Sequence, residues 1–114
     1  MRVVVVGAGK VGTFIAADLL ANGNDVVIIE RSSARHERLQ QRPDLADAVW
    51  VVGDACEVSQ LALAEPERAD AFVAVTGDDE DNLVASLLAK QEFAVPKVLA
   101  RVNHPANEWL FNDV

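Results

Sequence analysis

Five short apolar runs, rich in valine and other β-branched residues, recur along this chain and are separated by stretches with helical periodicity. The runs cover residues 2–6, 25–29, 48–52, 71–75 and 97–102. They are almost continuously hydrophobic, which is typical of strands that are buried on both faces of a parallel sheet. Because such a sheet needs helices on both faces, the alternation predicts a Rossmann-type, doubly wound α/β fold in three layers.

The segments between the runs carry the start and stop signals of helices. We predict helices over residues 11–21, 32–41 and 57–64, a longer one that begins at Asp79 or Asp81, and a last one from Pro105. In the fourth helix, Leu83, Leu87 and Leu88 are spaced to form the buried apolar face.

Topology rules limit how these elements can be arranged. Right-handed crossovers, with a change of direction after the first strand, predict the strand order 3-2-1-4-5. At 114 residues the chain is expected to form a single domain over residues 1–114. A dinucleotide-binding fold of this type usually has a sixth strand. We therefore expect that strand to be missing or truncated: either the chain is a fragment of a longer one, or a partner completes the edge next to the fifth strand.

Charge and composition exclude several classes of function. The net charge of −8 argues against nucleic acid as a partner, because phosphate backbones attract basic surfaces. The apolar runs are far shorter than the roughly 20 residues that span a bilayer, so no direct membrane insertion is expected. The N-terminus leads into a strand without a signal-peptide pattern, which favours a cytoplasmic location. The one cysteine, Cys56, excludes an internal disulfide, and we expect it to be a small buried residue.

The first run leads directly into a glycine-rich loop. Gly7, Gly9 and Gly12 have the G-x-G-x-x-G spacing, with Ala8 and Val11 between them. The first glycine permits a tight turn off the strand, the second permits close approach of a pyrophosphate, and the third lets the helix pack against the sheet. The N–H groups and positive dipole end of that helix attract phosphate. Residues 7–12 are therefore predicted to bind the phosphates of a nucleotide.

An acidic residue follows the second run at the expected distance. Glu30 lies 18 residues after Gly12. A carboxylate at this position accepts hydrogen bonds from the ribose hydroxyls and repels a 2′-phosphate, so NAD is favoured over NADP. Arg31 and Arg35 are able to pair with a 2′-phosphate, but Glu30 occupies the deciding position. Lys10 is either a contact of the outer phosphates or a solvated lysine, and the sequence leaves both open.

Residues after the third and fourth runs are expected at the same edge of the sheet. Asp54, followed by Ala55, is placed to accept the amino hydrogens of adenine or to cap the next helix. Thr76 and Gly77 are expected to lie over the phosphate loop, across the switch point of the sheet. The acidic residues 78–81 favour a capped, solvated helix start over a cation site, and no metal site is predicted.

The end of the chain suggests contacts beyond a single domain. Arg101 follows the fifth run, where it is placed to pair either with a phosphate or with an acidic neighbour across a subunit boundary. Trp109, Leu110 and Phe111 form an apolar cluster. We expect this cluster to be covered by further structure or by a second subunit.

The residues favour binding without catalysis. A dehydrogenase needs a proton donor or acceptor beside the nicotinamide, usually on a second domain. Short-chain dehydrogenases carry a Tyr and Lys pair within one domain, and this chain has no tyrosine. Three alternatives remain: the cofactor-binding part of an NAD-dependent dehydrogenase, an S-adenosylmethionine-dependent methyltransferase, and an NAD-sensing domain attached to a transporter or efflux system.

Taken in order, the motifs resemble those of a known family. The chain is similar to the N-terminal nucleotide-binding domain of the Trk/Ktr potassium-uptake regulators, which is also called the RCK or KTN domain. The resemblance covers essentially the whole chain and runs through VVVVGAGKVG, VVIIE, VVGDA, ADAFVAVTGDDEDNL and VLARVNHP. The last three motifs, in this order and spacing, are its specific part.

The resemblance implies a cytoplasmic regulatory subunit that binds NAD(H), ATP, ADP or AMP and gates a membrane-embedded potassium transporter or channel. It also implies homodimers that assemble into tetrameric or octameric rings at the inner face of the membrane. By position, the glycine loop would hold the phosphates, Glu30 the ribose and Asp54 the adenine, and Thr76 would face the phosphates. Lys10 stands where many relatives have an arginine, so the preferred nucleotide stays open.

Overall fold

The structure, a computed structural model, describes residues 1–111, which form a five-stranded sheet with the order β3-β2-β1-β4-β5. The strands are β1 (Arg2–Val6), β2 (Asp25–Glu30), β3 (Val49–Val52), β4 (Ala71–Ala74) and β5 (Val98–Ala100). Neighbouring strands all pair in parallel. The predicted fold class and strand order are confirmed. β5 is shorter than predicted: within residues 1–111 it pairs with β4 alone, along three residues.

Helices connect successive strands. They are α1 (Lys10–Ala21), α2 (Ser33–Leu39), α3 (Val58–Leu61) and α4 (Asp79–Gln91). The 3-10 segments are Pro43–Leu45, Ala62–Ala64, Pro66–Arg68 and Pro105–Phe111. The last predicted helix is therefore a 3-10 segment, in which Trp109 is 70% exposed. Within residues 1–111, no helix has the length and apolar character needed to cross a bilayer.

The core lies on both faces of the sheet, which explains the continuous apolar runs. Val4 and Val6 of β1 belong to the cluster that packs against α3 and α4, whereas Val3 and Val5 belong to the cluster on the α1 side. All four valines are buried. Since each fully buried valine stabilises the fold by about 1.5–3 kcal/mol, every position of this central strand contributes.

The buried face of α4 differs from the prediction. Leu83, Leu87 and Leu88 are only half-buried. The buried residues are instead small or polar: Asp79, Asn82, Ala85, Ser86 and Ala89. Small side chains let the helix axis lie close to the sheet, and this displaces the leucines to the sides of the contact.

Candidate nucleotide-binding site

An open cleft of about 480 Å³ lies at the carboxyl ends of β1 to β5. It includes the point where β1 has β2 on one side and β4 on the other, which is where doubly wound sheets bind ligands. Eleven of the thirteen residues predicted for the site line it: Gly7, Gly9, Lys10, Val11, Glu30, Arg31, Asp54, Ala55, Thr76, Gly77 and Arg101. The structure therefore brings together residues from the carboxyl ends of all five strands.

Ala8 and Gly12 do not line the cleft. Ala8 is buried, and its N–H donates to Glu30 Oε1 at 2.9 Å. A Cβ added to Gly12 would overlap the carbonyl oxygen of Gly7. Gly12 is thus required for the close contact between α1 and the loop that precedes it. It also lets α1 pack against Val75, which follows β4. Ala8 and Gly12 therefore fix the conformation of the glycine loop without lining the cleft.

The other two glycines differ from each other in what surrounds them. Gly7 has a φ of +101°, a conformation that favours glycine, and an added Cβ would lie 3.1 Å from Thr76. A Cβ added to Gly9 would meet no atom within 4 Å. Gly9 therefore leaves open space at the cleft, which is what close approach of a pyrophosphate to the main chain requires.

The N-terminus of α1 has no side-chain cap. Gly9 occupies the N-cap position, and the first turn contains no acidic residue. By contrast, Ser32 caps α2 and Asp78 caps α4 through side-chain hydrogen bonds. The first N–H groups of α1 and its positive dipole end thus remain available to an anion in the cleft.

Glu30 has a structural role that the sequence did not predict. It is 5% exposed, and its carboxylate accepts hydrogen bonds from the N–H groups of Ala8 (2.9 Å) and Ser32 (2.7 Å). Arg35 Nη1 lies 3.5 Å from the same carboxylate. A carboxylate accepts about four hydrogen bonds. A ribose diol would therefore take the remaining capacity and compete with Arg35.

Asp54 closes a turn at the end of β3. Its Oδ1 accepts a hydrogen bond from the N–H of Cys56 at 2.9 Å, and its own N–H donates to Gln60 Oε1. The N-cap of α3 is Glu57, which makes no side-chain cap, so the predicted helix-capping role of Asp54 is wrong. The turn holds Asp54 in the lining of the cleft, where contact with adenine stays a prediction.

Cys56 lines the cleft and is half-buried, whereas full burial was expected. Its Sγ lies 3.8 Å from Asp81 Oδ1 and 3.6 Å from the Asp81 carbonyl oxygen. Burial, together with the negative charges of Asp81 and Asp54, raises the pKa of the thiol to about 12. The group is therefore protonated at neutral pH and is a poor nucleophile.

A buried amide, which the sequence analysis missed, supports Thr76. Asn82 is 0% exposed, and its Oδ1 accepts hydrogen bonds from the N–H (2.9 Å) and the hydroxyl (2.7 Å) of Thr76. Its Nδ2 donates to the carbonyl oxygens of Thr76 and Arg101, each at 3.0 Å. One side chain of α4 thus connects the ends of β4 and β5. The sequence signal that could have identified Asn82 is its position as a polar residue among the buried positions of α4.

Asp79 was also missed, because the acidic run had been interpreted as solvated. It is 5% exposed and accepts hydrogen bonds from the N–H groups of Asn103 (2.6 Å) and His104 (3.0 Å) and from the side chains of Asn103 and Asn107 (each 2.9 Å). These bonds, led by the one from the Asn103 N–H, hold the pKa of Asp79 well below its usual value. Asp79 anchors the segment that follows β5.

The cations of the site are exposed. Arg31 Nη1 lies 4.0 Å from Asp81 Oδ2, so this weak pair joins the β2 and α4 sides of the cleft. Within residues 1–111, Lys10 and Arg101 have no carboxylate within 4.0 Å, and both line the cleft. In the same residues, no three His, Cys, Asp or Glu side chains are grouped so that they could hold a metal ion.

Comparison with known proteins places this arrangement in a family. The family model of the TrkA-N domain matches residues 3–114. This chain belongs to the TrkA-N family. It is 50% identical over 113 residues to the Trk system potassium uptake protein TrkA of Mycobacterium tuberculosis; the match covers 99% of this chain and 50% of that protein. The TrkA-N domain described here thus spans about half the length of that relative.

Solved structures share the TrkA-N fold. The crystal structure of the TrkA-N domain of the inner membrane protein ybaL from Escherichia coli matches with a TM-score of 0.85 and 21% identity, over 98% of this chain and 80% of that chain. The crystal structure of GsuK bound to ADP matches with a TM-score of 0.77 and 26% identity, over 96% of this chain and 27% of that chain.

Proposed function

We propose that this chain is the nucleotide-binding regulatory domain of a potassium-uptake system and that it binds NAD(H), ATP, ADP or AMP in the cleft. The observation that carries the proposal is the uncapped N-terminus of α1 beside Gly9, with buried Glu30 in the same cleft. The similarity to a TrkA potassium-uptake protein supports the transport context. The similarity to GsuK, which was crystallised with ADP, supports an adenine nucleotide.

In this proposal each part of the cleft takes one part of the ligand. The N–H groups at the start of α1 bind the pyrophosphate, while the open space at Gly9 admits it. Glu30 accepts hydrogen bonds from the ribose, and Asp54 with Ala55 contacts the adenine. The part of the ligand beyond the phosphates then lies over the loop that follows β4.

That loop would distinguish one nucleotide from another. Thr76 and Gly77 line the cleft beside the glycine loop, and Arg101 and Lys10 bring positive charge to the same region. Nucleotides that share adenosine but differ beyond the β-phosphate would meet these four residues differently. Such differential contact is necessary, because a ligand with equal affinity for two arrangements of a protein does not change the equilibrium between them.

We propose a binding role without chemistry, in which the bound nucleotide alters the arrangement of subunits. The domain would belong to a longer chain in the cytoplasm, form homodimers that build tetrameric or octameric rings, and act on a membrane-embedded potassium transporter or channel. Coupling between nucleotide and partner of about 1–3 kcal/mol would be sufficient for regulation.

Calorimetric titration with NADH, ATP, ADP and AMP tests the proposal. At least one of these should bind the wild type, and Gly9→Ala should weaken binding by about tenfold or more, since the added methyl group would take space that the pyrophosphate needs. Gly9→Ala meets no atom of the free protein, so its folding should be preserved.

Glu30→Ala provides a second arm, with Glu37→Ala as its matched control. Glu37 is an exposed carboxylate of α2 outside the cleft, so both variants change the net charge equally. Glu30→Ala should weaken binding, whereas Glu37→Ala should not. Failure of all four nucleotides to bind, or equal affinity in wild type and Gly9→Ala, would refute the assignment.

A further inference from the structure

A second groove adjoins the cleft on the side of α1 and α2, and cations dominate its lining. The four are Lys10, Arg35, Arg38 and Arg42, and the groove has a volume of about 280 Å³. The chain has only ten Lys and Arg residues against 18 Asp and Glu. Four of the ten therefore line a single groove of a protein whose net charge is −8.

The spacing of the arginines explains why they meet. Arg35, Arg38 and Arg42 are three and four residues apart, which places them along one face of a helical path. The first two lie on α2 and the third follows its end. The groove brings this face together with Lys10, the first residue of α1.

Carboxylates of the protein neutralise only part of this charge. Arg42 is paired with Asp44, with a distance of 2.6 Å between Nη2 and Oδ2. Arg35 shares the buried carboxylate of Glu30. Within the described part of the chain, Arg38 and Lys10 have no carboxylate within 4.0 Å. The groove therefore keeps an excess of positive charge and a guanidinium with unused donors.

The groove is continuous with the nucleotide cleft, because Gly9, Lys10 and Arg35 line both. We infer that the groove is a subsite for one additional phosphoryl group of a nucleotide held in the cleft, with Arg38 as its principal ligand. This inference rests on the proposed function. A guanidinium is able to bind a phosphate through two parallel hydrogen bonds, and its planar geometry matches that ligand.

Two nucleotide features carry such a group: the terminal phosphate of a triphosphate and a 2′-phosphate on the adenosine ribose, which the groove would have to hold against repulsion by Glu30. Titrations of ATP against ADP report on the first, and titrations of adenosine 2′,5′-bisphosphate against AMP report on the second. In at least one pair, the wild type should bind the ligand with the additional phosphate more tightly. Arg38→Gln should reduce that preference by about fivefold at low ionic strength, the upper range for an exposed ion pair.

The control is Arg68→Gln, which removes the same charge from an exposed arginine outside both the groove and the cleft. It should leave both preferences unchanged. Arg38→Lys keeps the charge and should restore part of the preference. Because Arg38 is exposed, thermal unfolding of Arg38→Gln should match that of the wild type.

The outcomes separate the two proposals. ADP and AMP affinities that are unchanged in Arg38→Gln, with a lost preference in one pair, support the subsite and identify its source. Unchanged preferences in both pairs overturn it while leaving the proposed function intact. If no nucleotide binds the wild type, the proposed function fails, and the subsite, which rests on it, is overturned with it.

Discussion

Replacement of Asn82 by alanine should destabilise this domain far more than the few atoms removed from the side chain suggest. The side chain is fully buried and makes hydrogen bonds to Thr76 and Arg101. In Asn82→Ala, the N–H of Thr76 and the carbonyl oxygen of Arg101 lose the partner that the structure shows for them. The hydroxyl and carbonyl of Thr76 keep other partners, in Asp78 and Asn103 respectively.

The magnitude follows from those two groups. A buried polar group that loses its partner costs about 1–3 kcal/mol. Since both bonds are only partly buried, water replaces part of the loss, and the expected decrease in the free energy of unfolding is about 2–4 kcal/mol. That is a large fraction of the roughly 6–17 kcal/mol expected for a domain of this length.

Ser86→Ala is the matched control. Ser86 lies one turn further along α4 and is equally buried, yet its hydroxyl has no hydrogen-bond partner among residues 1–111. Its removal should change stability by no more than about 0.5 kcal/mol, or stabilise the helix slightly. Urea unfolding followed by circular dichroism measures both variants by linear extrapolation. If the two variants differ by less than about 1 kcal/mol, the argument from hydrogen-bond partners is wrong.

Three further predictions concern other parts of the site. Gly12→Ala should destabilise the fold by at least about 2 kcal/mol through overlap with the loop backbone, whereas Gly9→Ala should change it by less than about 1 kcal/mol; equal effects in denaturant titration would contradict this. Because the folded pKa of Asp79 is lowered, its contribution to stability is complete above about pH 5, declines below that, and is lost as the pH falls through the folded pKa. Asp79→Asn should therefore lose less stability than the wild type between about pH 4 and pH 2 in acid-unfolding curves, and parallel curves would refute the assignment. With its pKa raised to about 12, Cys56 should react with iodoacetamide at pH 8 at least about tenfold more slowly than free cysteine, and a rate near that of free cysteine would show that the thiol is not shielded.

The sequence alone determined the strands, their order and most of the cleft. The apolar runs are continuous because both faces of each central strand are buried, and that property is local to the run. The glycine spacing is local as well, since Gly12 must fit against Gly7 only five residues away. In a parallel sheet the carboxyl ends of the strands share one edge, so residues placed after each run were expected to meet.

Only the tertiary structure decided which polar residues are buried and what they bind. Asp79 is indistinguishable from its acidic neighbours in sequence, and its partners lie more than 20 residues away, beyond β5. Asn82 likewise connects β4 and β5 because the ends of these strands lie close enough for one side chain to reach both. Glu30 has a structural role because the N–H of Ala8 lies within hydrogen-bonding distance of its carboxylate. Hydrogen bonds between distant segments depend on how helix and sheet pack. No local sequence pattern specifies how close two such segments come in the folded protein.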